Sequence, residues 1–363
     1  MSMETTLTLL PGISSHKWVY RMSEPKSGLT GFIAIHNNNL GSAVGGTRMF
    51  PYASEESALA DVMRLSEAMT YKCALAHVPH GGGKAVIIGD PKTQKTKALL
   101  KAYASAIKQL KGRFHTGEDV GISESDVQYM LTDCPYFIGK KGLAGDPSPY
   151  AALSTYVAIK KSVEMVMHKN SLQGVRVAVK GVGKVGSSLV DLLVNDGAVV
   201  TIADVDREAV SQVSGKHPKV TVVSATKIGQ STVDVYAPCA MGNEFTIKNI
   251  GKVKAHIICG SANNQLASKE VGIALFDRGV VYIPDYVANA GGLINVVDEL
   301  ERDGYNHARV LKRIGRIEET VSTIITISNS KRLPTNIVSD RLAEVEFHRK
   351  RFFSIHLPRP FHF

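Results

Sequence analysis

The sequence contains few cysteines, a single tryptophan and no long apolar run. Its four cysteines show neither CxxC pairing nor regular spacing, which argues against a disulfide framework and indicates reduced thiols. No stretch of about 18 apolar residues occurs, which argues against a membrane-spanning helix. The N-terminal stretch MSMETTLTLLPGISSHKW has no basic region ahead of an apolar one, so we predict no secretory signal. These absences together predict a cytoplasmic protein.

The charge of the chain is moderately unbalanced. Forty-three basic residues against 33 acidic ones give a net charge of +10, a value that nucleic-acid or anionic-substrate binding would also produce. The basic residues are spread along the sequence, with short runs only at Lys140–Lys141, at Lys160–Lys161 and in the C-terminal HRKR. We therefore expect a basic enzyme without a nucleic-acid or membrane partner. DNA binding by residues 349–363 is the minor alternative.

Strand and helix patterns predict two α/β parts in these 363 residues. Ser54 caps an amphipathic helix in the first part, and the second part alternates apolar strands with helices, as in parallel sheets covered on both faces. A Gly/Pro/Ser-rich stretch at 142–150 is the predicted hinge. We predict an α/β fold, with an N-terminal α/β domain (1–145) and a doubly wound, Rossmann-type nucleotide-binding domain (146–330). A cleft separates the two domains, and a C-terminal helix and tail (331–363) pack back toward the N-terminal domain.

The segment VRVAVKGVGKVG carries a G-x-G-x-x-G pattern between an apolar strand and a helix. In such a unit the glycines allow a tight turn, close approach of a pyrophosphate and close helix–strand packing. The next strand ends at Asp204, and an acidic group there favours NAD over NADP. Arg207 lies nearby, which leaves NADP as an alternative. The predicted cofactor residues of the turn are Gly181, Val182, Gly183, Lys184, Val185 and Gly186.

Two lysines and an aspartate stand next to glycine-rich segments. Lys72 lies near the end of a predicted helix, Lys84 follows three glycines, and Asp119 lies in TGEDVG. The glycines are expected to let a substrate and a cofactor ring approach the backbone, and a second ammonium nearby would lower the pKa of a lysine into the range of a base. His77 and His80 lack an obvious third ligand, so we predict no metal.

The same segments carry a family resemblance that extends from about residue 30 to 345. The sequence resembles the glutamate, leucine, phenylalanine and valine dehydrogenase family, and most resembles its leucine/phenylalanine/valine branch. The resemblance implies NAD-dependent, reversible oxidative deamination of an apolar L-amino acid to a 2-oxo acid, ammonia and NADH. It also implies a homo-oligomer, a dimer or an octamer, built through the N-terminal catalytic domain. The matching blocks are LGSAVGGTRMFPY, MTYKCALAHVPHGGGKAVIIGDP, TGEDVG, GDPSP, KGVGKVG, DVYAPCAMG, GSANNQL and PDYVANAGGLINV.

Roles for individual residues follow from this resemblance. It implies that Lys72 holds the substrate α-carboxylate, and that Lys84 is catalytic, activating water and polarising the carbonyl. It implies that Asp119 moves protons to and from the nitrogen. Further residues are placed at the bound molecules: Asn264 and Asn289 at the cofactor and substrate, and Cys239 and Ala240 at the cofactor.

The sequence does not decide whether the substrate is a branched-chain or an aromatic amino acid. Val44 stands where glutamate-specific members carry a lysine for the distal carboxylate, which disfavours glutamate. Gly117 with Leu293 is typical of phenylalanine-type members, because a missing methyl leaves room for a ring, whereas Glu118 is typical of leucine-type members. One methylene is worth only about 1–3 kcal/mol of discrimination. The predicted lining of the side-chain pocket is Leu40, Gly117, Leu293 and Val296.

Two departures from the family pattern leave a second functional class open. Ala151 replaces a threonine near the nicotinamide, and Ser154 replaces a glycine. A lost hydrogen bond of this kind is worth about 0.5–1.5 kcal/mol. The alternative hypothesis is a catalytically impaired NAD-binding protein that acts as a sensor.

Overall fold

The computed structural model describes residues 5–240 and 242–348. A mixed six-stranded sheet forms its first part, in the order β1-β2-β3-β5-β4-β6. Pairing is antiparallel from β1 through β3 to β5, and parallel from β5 through β4 to β6. The strands are β1 (Thr6–Leu9), β2 (Trp18–Glu24), β3 (Leu29–Asn37), β4 (Ala43–Phe50), β5 (Gly81–Ile88) and β6 (Phe114–Gly117).

Helices cover both faces of this sheet. Helix α1 (Glu55–Leu75) begins at Ser54, whose side chain forms a capping box with Ser57, as the sequence predicts for its start. Its buried side chains pack on one face of the sheet, and those of α2 (Lys97–Gln109) pack on the other. Helix α3 (Glu124–Leu131) follows β6. The end of α1, where Lys72 lies, is therefore held against the sheet.

The second part contains the predicted parallel sheet. Its strands are ordered β12-β11-β10-β7-β8-β9, and every pair is parallel. Numbered within this sheet, the order is 3-2-1-4-5-6, that of doubly wound dinucleotide-binding folds, which confirms the predicted fold class. The strands are β7 (Arg176–Lys180), β8 (Val199–Ala203), β9 (Thr221–Val222), β10 (Val235–Pro238), β11 (Ile257–Ile258) and β12 (Val281–Tyr282).

Nine helices of the described residues surround or follow this sheet. Helix α4 packs against α5, α9 and α11 and so forms the centre of the second part. The helices are α4 (Ser148–Met167), α5 (Lys184–Asn195), α6 (Arg207–Lys216), α7 (Lys269–Asp277), α8 (Asp285–Ala288), α9 (Gly291–Val297), α10 (His307–Gly315), α11 (Ile317–Lys331) and α12 (Thr335–His348).

Two segments differ locally from what their residues suggest. The apolar, β-branched start of VVYIPDYVAN favours a strand, but the segment pairs only over Val281–Tyr282 and is helical over Asp285–Ala288. Pro284 has no N–H for a sheet hydrogen bond, so the strand ends before it. The predicted hinge at 142–150 already contains the start of α4 at Ser148, because proline is tolerated at the beginning of a helix.

The last described helix returns to the first part of the chain. Helix α12 lies against α1, and the Tyr71 hydroxyl donates a hydrogen bond to Glu344 over 3.0 Å. The Asn39 amide donates to the Phe347 carbonyl, also over 3.0 Å. The basic tail that the sequence analysis singled out, 349–363, lies outside the described residues. No helix within 5–240 and 242–348 is long and apolar enough to cross a membrane.

The glycines before Lys84 have a different role from the one expected. Gly81–Gly83 form the start of β5 and are buried. Neighbouring parts of the protein, rather than a substrate, lie close to their backbone. A Cβ on Gly82 would lie 2.1 Å from the Thr70 nitrogen of α1, and one on Gly83 would lie 2.7 Å from the Phe114 ring. The missing side chains let α1 press closely onto the sheet.

We predict that Gly82→Ala lowers the free energy of unfolding by about 3 kcal/mol, because the added methyl meets rigid helix backbone. Urea denaturation of the purified protein measures this change. The matched control is Gly215→Ala in α6, where no described atom lies within 4 Å of the new methyl. That substitution should stabilise the protein by about 0.5 kcal/mol. Equal unfolding midpoints for the two variants would contradict the packing argument.

Candidate active site

A cleft of about 1080 Å³ lies between the two parts of the chain. Helix α1 and strands β4 and β5 supply one wall, and the segments that follow β11 and β12 supply the other. The cleft gathers most of the residues that the sequence predicts at the substrate. Among the residues that line it are Gly46, Lys72, Lys84, Gly117, Asp119, Lys184, Val185, Asn264, Asn289, Leu293 and Val296.

An ion pair between Lys84 and Asp119 lies at the bottom of this cleft. The Lys84 ammonium contacts Oδ2 of Asp119, and Lys84 is only 7% exposed. Burial alone raises the pKa of Asp119, but the charge and hydrogen bond of Lys84, together with the Arg48 guanidinium 3.9 Å away, outweigh it and lower the pKa. Oδ1 accepts the backbone N–H of Val120 over 2.8 Å. Asp119 is therefore an ionised carboxylate that can accept a proton.

Gly46 makes this contact possible. It lies on β4 between the strands that lead to the two charged residues, and it pairs in register with Gly117 of β6. A Cβ on Gly46 would come within 2.9 Å of the Asp119 Cβ and 3.3 Å of the Lys84 Nζ. A side chain at this position would separate lysine from carboxylate. Gly46 of AVGGTR is therefore needed for the contact between Lys84 and Asp119.

Lys72 and Asp285 both line the cleft, and their charges interact. Burial lowers the pKa of Lys72 to about 8; the Asp285 carboxylate opposes this change, and the Lys84 ammonium adds to it. Burial raises the pKa of Asp285, while a hydrogen bond from the Asn264 backbone N–H, 2.8 Å long, and the charge of Lys72 oppose that rise. Asp285 thus contacts the segment that carries Asn264 and faces the lysine predicted to bind the substrate.

Asn289 lines the cleft and carries a buried amide oxygen. The residue is 5% exposed, and its Nδ2 donates to the Ser261 carbonyl over 2.9 Å and to Oδ1 of Asn263 over 2.8 Å. Within the part of the chain that the structure describes, its Oδ1 has no hydrogen-bond partner. A buried acceptor without a partner is costly. Oδ1 is therefore suited to accept a hydrogen bond from a bound molecule.

The glycine-rich turn fits a dinucleotide. Gly181 has φ +94°, and a Cβ there would lie 2.7 Å from the Ala240 nitrogen; one on Gly186 would lie 1.9 Å from the Gly181 oxygen. At Gly183, which precedes α5, a Cβ would meet no described atom within 4 Å. The turn is thus tight, packed closely on its helix and open where a phosphate would approach the helix N-terminus.

Asp204 follows β8 and is hydrogen-bonded to this turn. Its Oδ2 accepts the Val182 N–H over 2.7 Å, and its Oδ1 accepts the Asp206 N–H over 3.0 Å. A carboxylate has about four acceptor positions, so capacity remains for ribose hydroxyls. Within the described chain, the lining of the cleft includes some of the predicted cofactor residues, Lys184, Val185 and Asn264. It leaves out Gly181, Val182, Gly183, Gly186, Asp204, Cys239 and Ala240.

Three substrate-side expectations need correction. Leu40 and Val44 are 5% and 0% exposed and belong to the same core cluster, and neither lines the cleft in the described structure. An argument against glutamate that depends on pocket contact by Val44 therefore has no structural basis. Gly117 does line the cleft, but a Cβ there would lie 2.9 Å from the Ile138 carbonyl oxygen. The missing methyl thus allows close backbone packing rather than extra room for a ring.

Comparisons with known proteins agree with this geometry. Residues 16–136 match the Glu/Leu/Phe/Val dehydrogenase dimerisation domain, and 199–327 match the Glutamate/Leucine/Phenylalanine/Valine dehydrogenase domain. A valine dehydrogenase from Streptomyces virginiae is 42% identical, covering 91% of this chain and 93% of the relative. The chain belongs to the Glu/Leu/Phe/Val dehydrogenase family. It is thus an oxidoreductase of a family that depends on pyridine nucleotides.

Two further relatives extend this comparison. A leucine dehydrogenase from Bacillus cereus is 41% identical, over 88% of each chain. The crystal structure of L-tryptophan dehydrogenase from Nostoc punctiforme superimposes with a TM-score of 0.81 and 38% identity, covering 93% of this chain and 97% of that one. The named relatives therefore include enzymes for both branched-chain and aromatic amino acids.

Three residues with contacts at the site were assigned no such role by the sequence analysis. Arg48 lies beside Asp119, Asp285 faces Lys72, and Ser154 is bonded to the segment that carries Asn289. The signal for two of them was present, since Arg48 and Asp285 lie in the blocks GTRMFPY and PDYVANAGG. The contact of Ser154 depends on how two helices pack, and the sequence shows no sign of it.

No group of three or more His, Cys, Asp or Glu side chains suited to a metal is found in the described residues. The predicted loop histidines have other contacts. His77 lies 3.2 Å from the Thr320 hydroxyl, and Nδ1 of His80 lies 3.3 Å from the Ser42 carbonyl.

We predict that the affinity of the unliganded protein for a small apolar carboxylate, such as 4-methylpentanoate, falls as pH rises above about 8. Lys72 loses its charge there, so affinity should drop toward tenfold per pH unit. Isothermal titration calorimetry at a series of pH values measures this. In Lys72→Gln the affinity should be lower and nearly constant over the same range. A wild-type affinity that stays constant up to pH 10 would contradict the assignment.

Proposed function

We propose that the protein catalyses the NAD-dependent, reversible oxidative deamination of an apolar L-amino acid to its 2-oxo acid, ammonia and NADH. The observation that carries this proposal is the convergence of Lys72, Lys84 and Asp119 on one cleft, beside a turn suited to a dinucleotide. Family membership supports the reaction class, and the names of the relatives support a branched-chain or aromatic substrate.

The charged residues of the cleft are suited to hold an amino acid in one orientation. Lys72, when protonated, binds the α-carboxylate by a charge-assisted hydrogen bond. The free Oδ1 of Asn289 accepts a hydrogen bond from the α-amino group. Two contacts on opposite sides of the α-carbon fix the direction of its hydrogen, which effective catalysis of a transfer reaction requires.

We assign proton transfer and the hydrolysis of the imine to Lys84 and Asp119. The α-ammonium group of the substrate first loses a proton to Asp119, which passes it to solvent, so that a neutral amine is oxidised. When bound, NAD would supply the acceptor for the hydride of the α-carbon, and an iminium group would remain on the substrate. Lys84 orients water toward that carbon and stabilises the oxygen that develops negative charge. Asp119, ionised beside Lys84, accepts the proton of the water and returns it to the nitrogen of the carbinolamine. As the carbon–nitrogen bond breaks, Asp119 takes the hydroxyl proton and passes it to solvent, and ammonia and the 2-oxo acid are released.

The wall of the cleft supports an apolar side chain as substrate. The wall includes Ile138, Leu293 and Val296. Covering such apolar surface contributes about 25 cal/mol per Å² to the free energy of binding. Glu118 also lines the cleft, and burial raises the pKa of this carboxyl. A distal substrate carboxylate would lie against the apolar side chains of this wall, and its burial without a partner is costly, so glutamate is disfavoured.

We also propose that the chain forms a homo-oligomer, a dimer or an octamer, through its first domain. Support comes from the description of the matched segment 16–136 as a dimerisation domain. The division at 145 and 330, with α12 as part of a C-terminal segment, is likewise a proposal. The cytoplasmic location stays a prediction from the sequence.

A substrate panel tests the function directly. With NAD at alkaline pH, leucine, valine or phenylalanine should produce NADH, measured by its absorbance. Lys84→Ala should lower turnover by about 10³-fold or more while calorimetry still detects NAD binding. The matched control is Lys161→Ala, which removes a lysine of α4 that is ion-paired with Glu164. Tight NAD binding without turnover of any amino acid would favour the sensor hypothesis instead.

We predict that NAD is preferred over NADP and that Asp204→Asn reduces this preference about tenfold. The amide oxygen still accepts the Val182 N–H, but the charge that repels a 2′-phosphate is lost. The ratio of kcat/KM for the two nucleotides measures the effect. Asp191→Asn removes a carboxylate of α5 that pairs with Lys216 and should leave the ratio unchanged. A wild-type preference for NADP would overturn the cofactor assignment.

A further inference from the structure

Ser154 forms hydrogen bonds to both sides of the segment that carries Asn289. Its hydroxyl donates to the Ala288 carbonyl over 2.7 Å and accepts the Gly291 N–H over 2.9 Å. The Ala151 carbonyl of its own helix lies farther away, at 3.1 Å. Because a hydroxyl has one hydrogen, the shorter contact is its donor bond. Ser154 is completely buried, so water does not compete for these bonds.

The bond to Gly291 replaces a missing helix cap. Gly291 is the first residue of α9, and the N–H groups of a first turn have no partner within their own helix. Ala290, which precedes α9, makes no side-chain capping bond in the described structure. Gly291 is buried, and a buried donor without a partner costs free energy. Ser154, on α4, supplies the acceptor that α9 lacks.

Close packing of α4 on α9 brings the hydroxyl within reach. A Cβ on Gly291 would lie 1.9 Å from the Tyr150 carbonyl oxygen and 2.8 Å from the Ser154 hydroxyl. Glycine is therefore required at 291, and the two backbones touch. The contact that Ser154 makes is thus part of a fixed helix–helix interface rather than of a surface loop.

Asn289 lies between the two bonded positions. Its side-chain nitrogen is held by the Ser261 carbonyl and by Asn263, which follow β11. Its main chain is held on one side by the Ala288 bond and on the other by the Gly291 bond. The amide of Asn289, a residue that lines the cleft, is therefore fixed by contacts from two different parts of the fold.

We propose that Ser154 is a positioning residue, whose hydroxyl holds Asn289 in the orientation that receives the substrate nitrogen. The catalytic part of this inference rests on the proposed function. Ser154 stands where the family pattern has glycine. On this proposal the serine does not indicate lost activity, because its hydroxyl restrains the amide that binds the substrate.

The experiment compares Ser154→Ala with Ser162→Ala. Ser162 is also a completely buried serine of α4, but its hydroxyl bonds only to the Ala158 carbonyl of its own helix among the described residues. We expect Ser154→Ala to lower kcat/KM for the amino acid about tenfold, with the affinity for NAD changed less than twofold. Ser162→Ala should retain the wild-type kcat/KM.

A double-mutant cycle with Asn289→Ala separates positioning from general destabilisation. If Ser154 acts through Asn289, its substitution should change kcat/KM less than twofold once the amide is gone. A tenfold loss in both backgrounds means that Ser154 only supports the fold, and it would overturn the proposal.

Hydrogen exchange of the unliganded protein gives a readout that needs no activity. Peptides that cover residues 288–297 should exchange about tenfold faster in Ser154→Ala, and not in Ser162→Ala. Unchanged exchange would refute the restraint itself. If the wild-type protein oxidises no amino acid, the proposed function fails, while this exchange measurement still decides whether Ser154 holds the segment.

Discussion

The buried ion pair of Lys84 and Asp119 is the interaction on which the arrangement of the cleft depends. Burying two charges costs more free energy than their attraction returns unless the geometry is good, so such a pair is weak evidence for stability. Here the pair keeps a carboxylate ionised in the cleft. The pair therefore supports the proposed chemistry more than the stability of the fold, and Gly46 leaves room for the two groups to meet.

Close approach of backbones, achieved by leaving out side chains, recurs throughout the site. Gly82 lets α1 press onto the sheet, Gly46 lets Lys84 reach Asp119, and Gly291 lets α4 touch α9. Each removes one side chain at a point where two elements carrying functional groups meet. Functional side chains from separate elements can therefore lie close together, because no side chain stands between them at these glycines.

The dinucleotide unit could be predicted from the sequence because its determinants are local. The strand, the turn beginning at Gly181 and the helix that follows lie within one short segment, and glycine supplies the positive φ that the turn requires. The lysines and Asp119 could be singled out by the glycine-rich segments beside them, but their separate roles came only from the family resemblance, since they lie on three different elements. Leu40 was misplaced because an apolar side chain suits both the core and the wall of a pocket, and the sequence does not show which of the two it faces.

The charges of the cleft explain why the two directions of the reaction place different demands on Lys72. Among the charged residues that line the cleft, Lys72 and Lys84 are basic, and Asp119 and Asp285 are acidic. An amino acid enters as a zwitterion and adds no net charge. A 2-oxo acid adds one negative charge, which a protonated Lys72 in its proposed role would offset, and burial already lowers the pKa of that lysine. On this proposal, binding of the 2-oxo acid depends more strongly on the protonation of Lys72 than binding of the amino acid does. The Asp285 carboxylate reduces this dependence, because its charge opposes the loss of the Lys72 proton.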